Sequence, residues 1–227
     1  YSNGSSAKLM AGGRVVRQVD RTYSRFHAMT EEKTTQDHCV KREVTTYYAQ
    51  DVPFDRQVAQ FQYPKHLKTS WEMDNDPTQY REESRSTVFD ENGNLREEID
   101  ASGIRTLHTY YPKEASDGCP ADPQGFIRNR KDSTIFPSTQ EQPGAPTLHT
   151  RLRYLLLPAL NGSGQAPWLS SESETLQQRV GSNDVELQQT LYAYHNQPGA
   201  AFLHGRPASQ RTTLNGLTST TEYAYRT

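Results

Sequence analysis

Two short units of the same build stand ten residues apart in the chain. Phe89-Asp90-Glu91-Asn92-Gly93-Asn94 and Ile99-Asp100-Ala101-Ser102-Gly103-Ile104 each set an apolar residue before an Asp, two turn-compatible residues after it, and then a Gly. A strand-like run follows each unit, Leu95 to Ile99 and Ile104 to Tyr111. The Asp carboxylate can accept hydrogen bonds from the backbone of its own turn, and Gly enters the left-handed region without steric cost. A chain punctuated in this way reverses direction about every ten residues. One such ribbon cannot bury its own face, so neighbouring ribbons must lie side by side in a continuous sheet. Asn92-Gly93 predicts a tight type I′ hairpin, because both residues tolerate positive φ. Asn215-Gly216, between the Thr/Leu runs Arg211–Leu214 and Leu217–Thr221, predicts another. The residues expected to make and lock the turns are Asp90, Asn92, Gly93, Asp100, Gly103, Asn215 and Gly216.

The rest of the sequence agrees with an all-β chain. The runs Val15–Met29, Val40–Tyr48 and Gln189–Tyr194 alternate polar and large residues with an approximate period of two. Thr (23 residues) and Tyr (13) supply β-prone side chains. Ser171–Val180 fits a helical or a strand period, and the strand reading is preferred because Leu176, Gln178 and Val180 alternate with Thr175, Gln177 and Arg179. The Pro/Gly/Ser segments Gly118–Gly125, Phe136–Pro146 and Asn161–Pro167 read as loops, and Met73–Pro77 and Gln197–Gly199 as turns. No shift in composition marks a boundary, so residues 1–227 read as a single segment. The sequence opens on Tyr1 without Met and ends in the strand-like Thr221–Thr227, which gives the expectation that it is an excerpt of something longer.

Supply of core material is thin. Leu, Ile, Val and Phe together make about 17% of the chain, and the full hydrophobic set with Tyr makes 33%. The usual figure for a globular domain is about 45–50%. Aromatics reach 10% and the net charge is only −2, so the chain can still fold. Near-balance of 25 Lys+Arg against 27 Asp+Glu excludes a strongly basic nucleic-acid binder or a polybasic membrane-surface protein. No apolar run approaches a membrane helix. Arg outnumbers Lys 18 to 7, which suits ion pairs laddered across adjacent strands.

Catalytic and metal signatures are weak. Cys39 and Cys119 make neither a disulfide framework nor a metal site and read as two reduced thiols. His27, His38, His66, His108, His149, His195 and His204 show no metal-binding spacing. Neither a Gly-x-Ser-x-Gly elbow nor a phosphate-binding Gly loop occurs. The chain therefore reads as a non-enzyme with no catalytic residues, no cofactor and no metal. The tyrosines come in pairs near strand ends: Tyr47-Tyr48, Tyr110-Tyr111, Tyr192 with Tyr194, and Tyr223 with Tyr225. They read first as strand packing with hydroxyls reaching water, and second as a carbohydrate platform.

The stretch Phe89–Tyr111 resembles the YD repeat of the RHS (rearrangement hot spot) family, which runs Tyr-Asp-x-x-Gly, then Asn or Arg, then a strand. Phe89 and Ile99 stand where that motif has Tyr. Arg21–His27 and Thr45–Tyr48 look like diverged strands of the same type, and Thr221–Tyr225 like the lead-in to a further unit. The segment Tyr110–Pro112 followed by Gly118–Phe126 looks like a loop of bacterial RHS-repeat proteins related to insecticidal toxin complexes. Asp122-Pro123-Gln124-Gly125-Phe126 is close to the Asp-Pro-x-Gly-Leu signature of RHS self-cleavage. Phe126 departs from Leu and a second copy is missing, so a plain Pro-containing loop is the preferred reading over a proton-sharing carboxylate pair.

What the resemblance implies is a wall. RHS proteins coil β-hairpins into a hollow cocoon around a toxic C-terminal polypeptide. A curved sheet one layer thick needs few aliphatics. The expectation is a structural shell or scaffold segment of a toxin system, exported from a bacterium. Its partners would be the remaining repeats of the same chain, the enclosed polypeptide and other toxin-complex subunits, with no nucleic acid and no membrane span. The rival expectation is a surface adhesion or carbohydrate-binding module built from the same hairpins.

Overall fold

The computed structural model describes residues 3–138 and 144–226. The chain divides into two compact units, 1–104 and 105–227. Part of the loop expected over Phe136–Pro146, and the last residue of Thr221–Thr227, lie outside the described residues.

The first unit is an antiparallel meander of seven strands: β1 (Asn3–Ala11), β2 (Arg14–Tyr23), β3 (Met29–Gln36), β4 (Cys39–Tyr47), β5 (Pro64–Met73), β6 (Asp76–Phe89) and β7 (Leu95–Ile99). Each pairs with the next in chain order. One turn of 3₁₀ helix, Phe54–Arg56, interrupts the connection from β4 to β5. The second unit repeats the plan with β8 (Arg105–Tyr110), β9 (Arg130–Phe136), β10 (Leu148–Leu157), β11 (Trp168–Val180), β12 (Asn183–Tyr194), β13 (Pro207–Leu214) and β14 (Leu217–Glu222). Here too each strand pairs antiparallel with its successor. The all-β hairpin chain read from the sequence is therefore what forms. Ser171–Val180 is strand, as its alternation indicated. The run Val15–Met29 is not one strand: it breaks at residues 24–28, where a turn joins β2 to β3.

Both faces of the sheet are wet. Among the described residues the buried apolar side chains are Val40, Tyr111, Cys119, Leu152 and Leu157. A pleated strand shows alternate side chains to opposite faces, and on a single layer neither face is sealed. Ion pairs cross between neighbouring strands in their place: Arg21 with Glu32 (2.6 Å), Arg42 with Glu31 (3.3 Å) and Lys68 with Glu82 (2.7 Å). In the second unit His149 lies between Asp132 (3.0 Å) and Asp184 (3.4 Å), and Arg151 and Arg179 flank the same two carboxylates. The Arg179 guanidinium holds Asp184 below the usual carboxylate range. Exposed pairs of this kind contribute at most about 1 kcal/mol each, so the backbone ladder carries most of the order.

The two margins of each meander differ. On one margin most connections are two residues long: 12–13, 37–38 and 74–75 in the first unit, 181–182 and 215–216 in the second, where 137–147 between β9 and β10 is the longer exception. On the other they run longer: 24–28, 48–63 and 90–94 in the first unit, and 111–129, 158–167 and 195–206 in the second. This loop margin gathers most of the aromatic side chains. Phe26 packs on Phe61 (5.4 Å between ring centroids) and Phe54 (6.5 Å), and Phe89 packs on Tyr63 (4.6 Å) and Tyr48 (6.4 Å).

Candidate functional site: the loop margin and its turns

The Asp-x-x-Gly units form one recurring device, at Asp90 on the loop margin and at Asp100 beyond the opposite end of β7. At Asp90 the carboxylate Oδ1 accepts the N–H groups of Asn92 and Asn94, both at 2.9 Å. The Asp90 carbonyl accepts Gly93 N–H (3.1 Å), and Asp90 N–H donates to the Asn94 carbonyl (2.9 Å). At Asp100 the pattern is the same: Oδ1 accepts from Ser102 and Ile104 at 2.9 Å, and the carbonyl accepts from Gly103 at 3.1 Å. Asp90 and Asp100 thus lock their turns as the sequence indicated.

The turn at Asn92-Gly93 is not the type I′ hairpin expected. Gly93 has φ of 79°, but Asn92 is not in the left-handed region. The Asp90 carboxylate closes a longer loop from 90 to 94, with Asp at the first position and Gly at the fourth. That is the residue pattern of a type I turn. Asn215-Gly216 does form the tight hairpin: φ is 49° and 78°, and Leu214 faces Leu217 across the turn.

Two further copies escaped the sequence reading. In Asp122-Pro123-Gln124-Gly125-Phe126 the carboxylate accepts N–H from Gln124 (2.9 Å) and Phe126 (3.3 Å), and the carbonyl accepts Gly125 N–H (3.0 Å). The stretch close to the self-cleavage signature is thus folded as the same turn. Arg128 (2.9 Å) and Asn129 (3.2 Å) complete the shell around this carboxylate, whose side chain is 1% exposed. Burial pushes its pKa up, but the hydrogen bonds from Gln124, Phe126, Asn129 and Arg128 outweigh that and hold it below the usual range. No second carboxylate is among its hydrogen-bond partners.

The fourth copy is Tyr23-Ser24-Arg25-Phe26-His27-Ala28. Ser24 Oγ accepts from Phe26 (3.2 Å) and Ala28 (3.3 Å), and the Ser24 carbonyl accepts from His27 (3.0 Å). Ser24 N–H donates to the Ala28 carbonyl (2.8 Å). His27, with φ of 60°, occupies the Gly position. The signal was the aromatic residue before a short acceptor side chain. Replacement of both Asp and Gly hid it.

Tyrosines fasten the same margin. Strand register shifts by one residue just before Tyr23, Tyr47, Phe89, Tyr110 and Tyr194. Such bulges bend the strand and re-aim the side chain. Tyr48 Oη donates to the Thr87 carbonyl (2.9 Å) and Tyr111 Oη to the Leu152 carbonyl (2.8 Å), each reaching two strands across. Tyr47 reaches Met29 O (2.7 Å), Tyr154 reaches Arg130 O (3.0 Å) and Tyr194 reaches Ser171 O (3.0 Å). The hydroxyls of Tyr47, Tyr48, Tyr111 and Tyr194 meet backbone carbonyls, where the sequence reading had sent them to water. Burial raises the pKa of Tyr111, Tyr154 and Tyr194, which keeps them donors.

Each unit carries a cleft. One, of about 580 Å³, is lined by Thr34, Gln36, Cys39, Lys41, Trp71 and Met73 near the tight-turn margin of the first unit. The Arg81 guanidinium lies 5.3 Å from the Trp71 ring centre. The other, of about 240 Å³, is lined by Tyr192, Tyr194, Ser209, Gln210 and Tyr223 of the second unit. Both cysteines are free thiols, Cys39 exposed and Cys119 buried. Burial, then the Asp122 charge, pushes the Cys119 thiol up. Among the described residues no group of three His, Cys, Asp or Glu side chains is placed to hold a metal ion. No helix among them is long and apolar enough to cross a membrane. No family model matches the chain, and no curated protein does.

Proposed function

We propose that the chain is a stretch of wall in an RHS/YD-repeat protein of a bacterial toxin system, a shell or scaffold segment that encloses or carries a toxic polypeptide. The observation that carries the proposal is the recurring turn at Ser24, Asp90, Asp100 and Asp122, set into a sheet with two wet faces. A layer of this kind has area without thickness, which suits enclosure. The turn frame supplies rigidity and no reactive group: the Asp122 carboxylate is saturated by four donors. The test is limited proteolysis of the full-length protein from its source. A C-terminal polypeptide that resists protease until the repeat region is cut supports enclosure. One cut at the same rate with the repeats intact rejects it.

A second reading, adhesion through carbohydrate binding, draws on the cleft between Tyr192, Tyr194 and Tyr223, which has the aromatic walls and the Gln210 amide that a sugar ring needs. A glycan array separates the two. Reproducible binding lost in Tyr192→Ala and Tyr223→Ala favours adhesion, and no binding rejects it.

A further inference from the structure

Cys39 of β4 and Met73 of β5, at the tight-turn margin of the first unit, are direct partners in the antiparallel ladder. Such partners stand on one face with Cβ atoms about 4.5–5.5 Å apart. Lys41 and Trp71 are the next pair on that face, and all four side chains line the cleft of about 580 Å³. His38 lines the same cleft from the turn before β4. Its Nδ1 lies 2.9 Å from Oδ1 of Asp74, in the turn after β5. The Asp74 carboxylate accepts, so Nδ1 carries the ring proton and Nε2 keeps its lone pair. Backbone fixes the same junction, since Asp74 N–H donates to the His38 carbonyl (2.9 Å). A thiol, a thioether and an imidazole nitrogen thus converge on one cleft, held by two strands and two tied turns.

We propose that Cys39, Met73 and His38 form a binding site for a soft monovalent metal ion, Cu(I) or its surrogate Ag(I). Thiolate and thioether ligands together select Cu(I), whereas Mg, Ca and Mn prefer oxygen donors. Two sulfurs held by one ion at about 2.3 Å each stand at most about 4.6 Å apart, a span that a direct cross-strand pair can reach. The Asp74 carboxylate on Nδ1 is the partner that orients a ligating imidazole and raises its basicity. A thioether is the third donor, so the set differs from any group of three His, Cys, Asp or Glu, of which the described residues have none. The nearby cations are already engaged: Lys41 pairs with Glu43 (3.1 Å), and Arg81, over the Trp71 ring, pairs with Glu83. Asp37, at φ of 51° in the turn, adds a carboxylate to the cleft lining. Cys39 is exposed, so an ion reaches its sulfur in the folded chain, and the buried Cys119 belongs to the other unit.

Binding breaks the Cys39 S–H bond and forms a metal–sulfur bond, and the proton goes to water. The Met73 sulfur and His38 Nε2 each donate a lone pair and lose no proton. The ion keeps its oxidation state, so the step needs no oxidant or reductant. Bound there, it would bridge β4 and β5 through their side chains, across a ladder that is already paired.

The test is titration of the intact chain with Ag(I) in chloride-free buffer at neutral pH, followed by calorimetry and nuclear magnetic resonance. The expected result is one ion per chain, with shifts of the Met73 methyl and the His38 Nε2 signals and none at Met10 or Met29. Met73→Leu, which keeps the volume, and Asp74→Asn, which removes the charge behind the ring, should each weaken binding by about 10–100-fold. Cys39→Ser should abolish it although Cys119 remains. Absence of binding, uptake retained in Cys39→Ser, or a Met73→Leu variant that binds as tightly as the parent would each overturn the site. Met73 and His38 signals that stay in place while Ag(I) binds would reduce it to a bare thiol and overturn it as well. Those signals come from the unmodified chain, so they decide even where a variant does not fold.

Discussion

Gly93→Val tests the turn device most directly. Gly93 sits at φ of 79°, where a residue with a Cβ incurs about 1–2 kcal/mol, a β-branched one toward the upper end. The added Cβ would also stand 2.9 Å from Tyr63 Oη and 3.4 Å from its Cε2. The Tyr63 ring would have to leave Phe89, against which it packs at 4.6 Å, a contact worth about 0.5–1.5 kcal/mol. The combined loss is about 2–3 kcal/mol, which for a chain of this length lowers the melting midpoint by about 4–12 °C. Gly216→Val is the matched control, since Gly216 has φ of 78° and nothing within 4 Å of an added Cβ. It isolates the backbone part, about 1–2 kcal/mol. The assay is thermal melting of both variants followed by far-ultraviolet circular dichroism. A Gly93→Val midpoint equal to the parent refutes the left-handed turn, and a loss no greater than that of Gly216→Val refutes the role of Tyr63.

Four further perturbations test the turns, the tyrosine frame and the two thiols. His27→Gly replaces a strained residue at φ of 60° and should raise stability by about 0.5–1 kcal/mol in urea melts, since relief of the left-handed strain exceeds the entropy that glycine adds to the unfolded chain. Asp122→Ala orphans two backbone N–H groups and the Arg128 guanidinium and should cost about 3 kcal/mol. Because Asp122 is held below its unfolded value, its contribution is complete above about pH 4 and is lost as pH falls through the folded pKa; Asp122→Asn should remove that acid-dependent part in urea melts run at several pH values. Tyr111→Phe leaves the buried Leu152 carbonyl without its donor and should cost about 1–2 kcal/mol by chemical denaturation. A thiol reagent should label Cys39 in the folded protein and reach Cys119 only on unfolding; equal rates would contradict the burial of Cys119.

Local rules fared well in the sequence where the signal was local. Asn215-Gly216 needs only its own two residues to define a tight hairpin, and it was readable as such. Asn92-Gly93 carries the same dipeptide, yet Asp90 two residues earlier takes control by accepting two backbone N–H groups, and the loop lengthens. Arg21–His27 reads as a diverged strand in the sequence and not as the turn that forms at 24–28, because Ser24 substitutes for the acceptor and His27 for the glycine. The hydroxyl targets of Tyr48 and Tyr111 depend on partners 39 and 41 residues away, two strands across. No one-dimensional pattern encodes either. The scarcity of Leu, Ile, Val and Phe did announce a structure without a thick interior, and the cross-strand ion pairs were foreshadowed by the excess of Arg.

The unequal margins of each meander have a consequence for how such a chain can diversify. A two-residue reversal such as 12–13 or 215–216 fixes which residues face each other, so a single insertion there would turn every following side chain to the wrong surface. At 48–63 or 111–129 the connecting segment already wanders, and extra residues there leave strand register intact. Novelty can therefore accumulate along one rim while the weave beneath it is preserved.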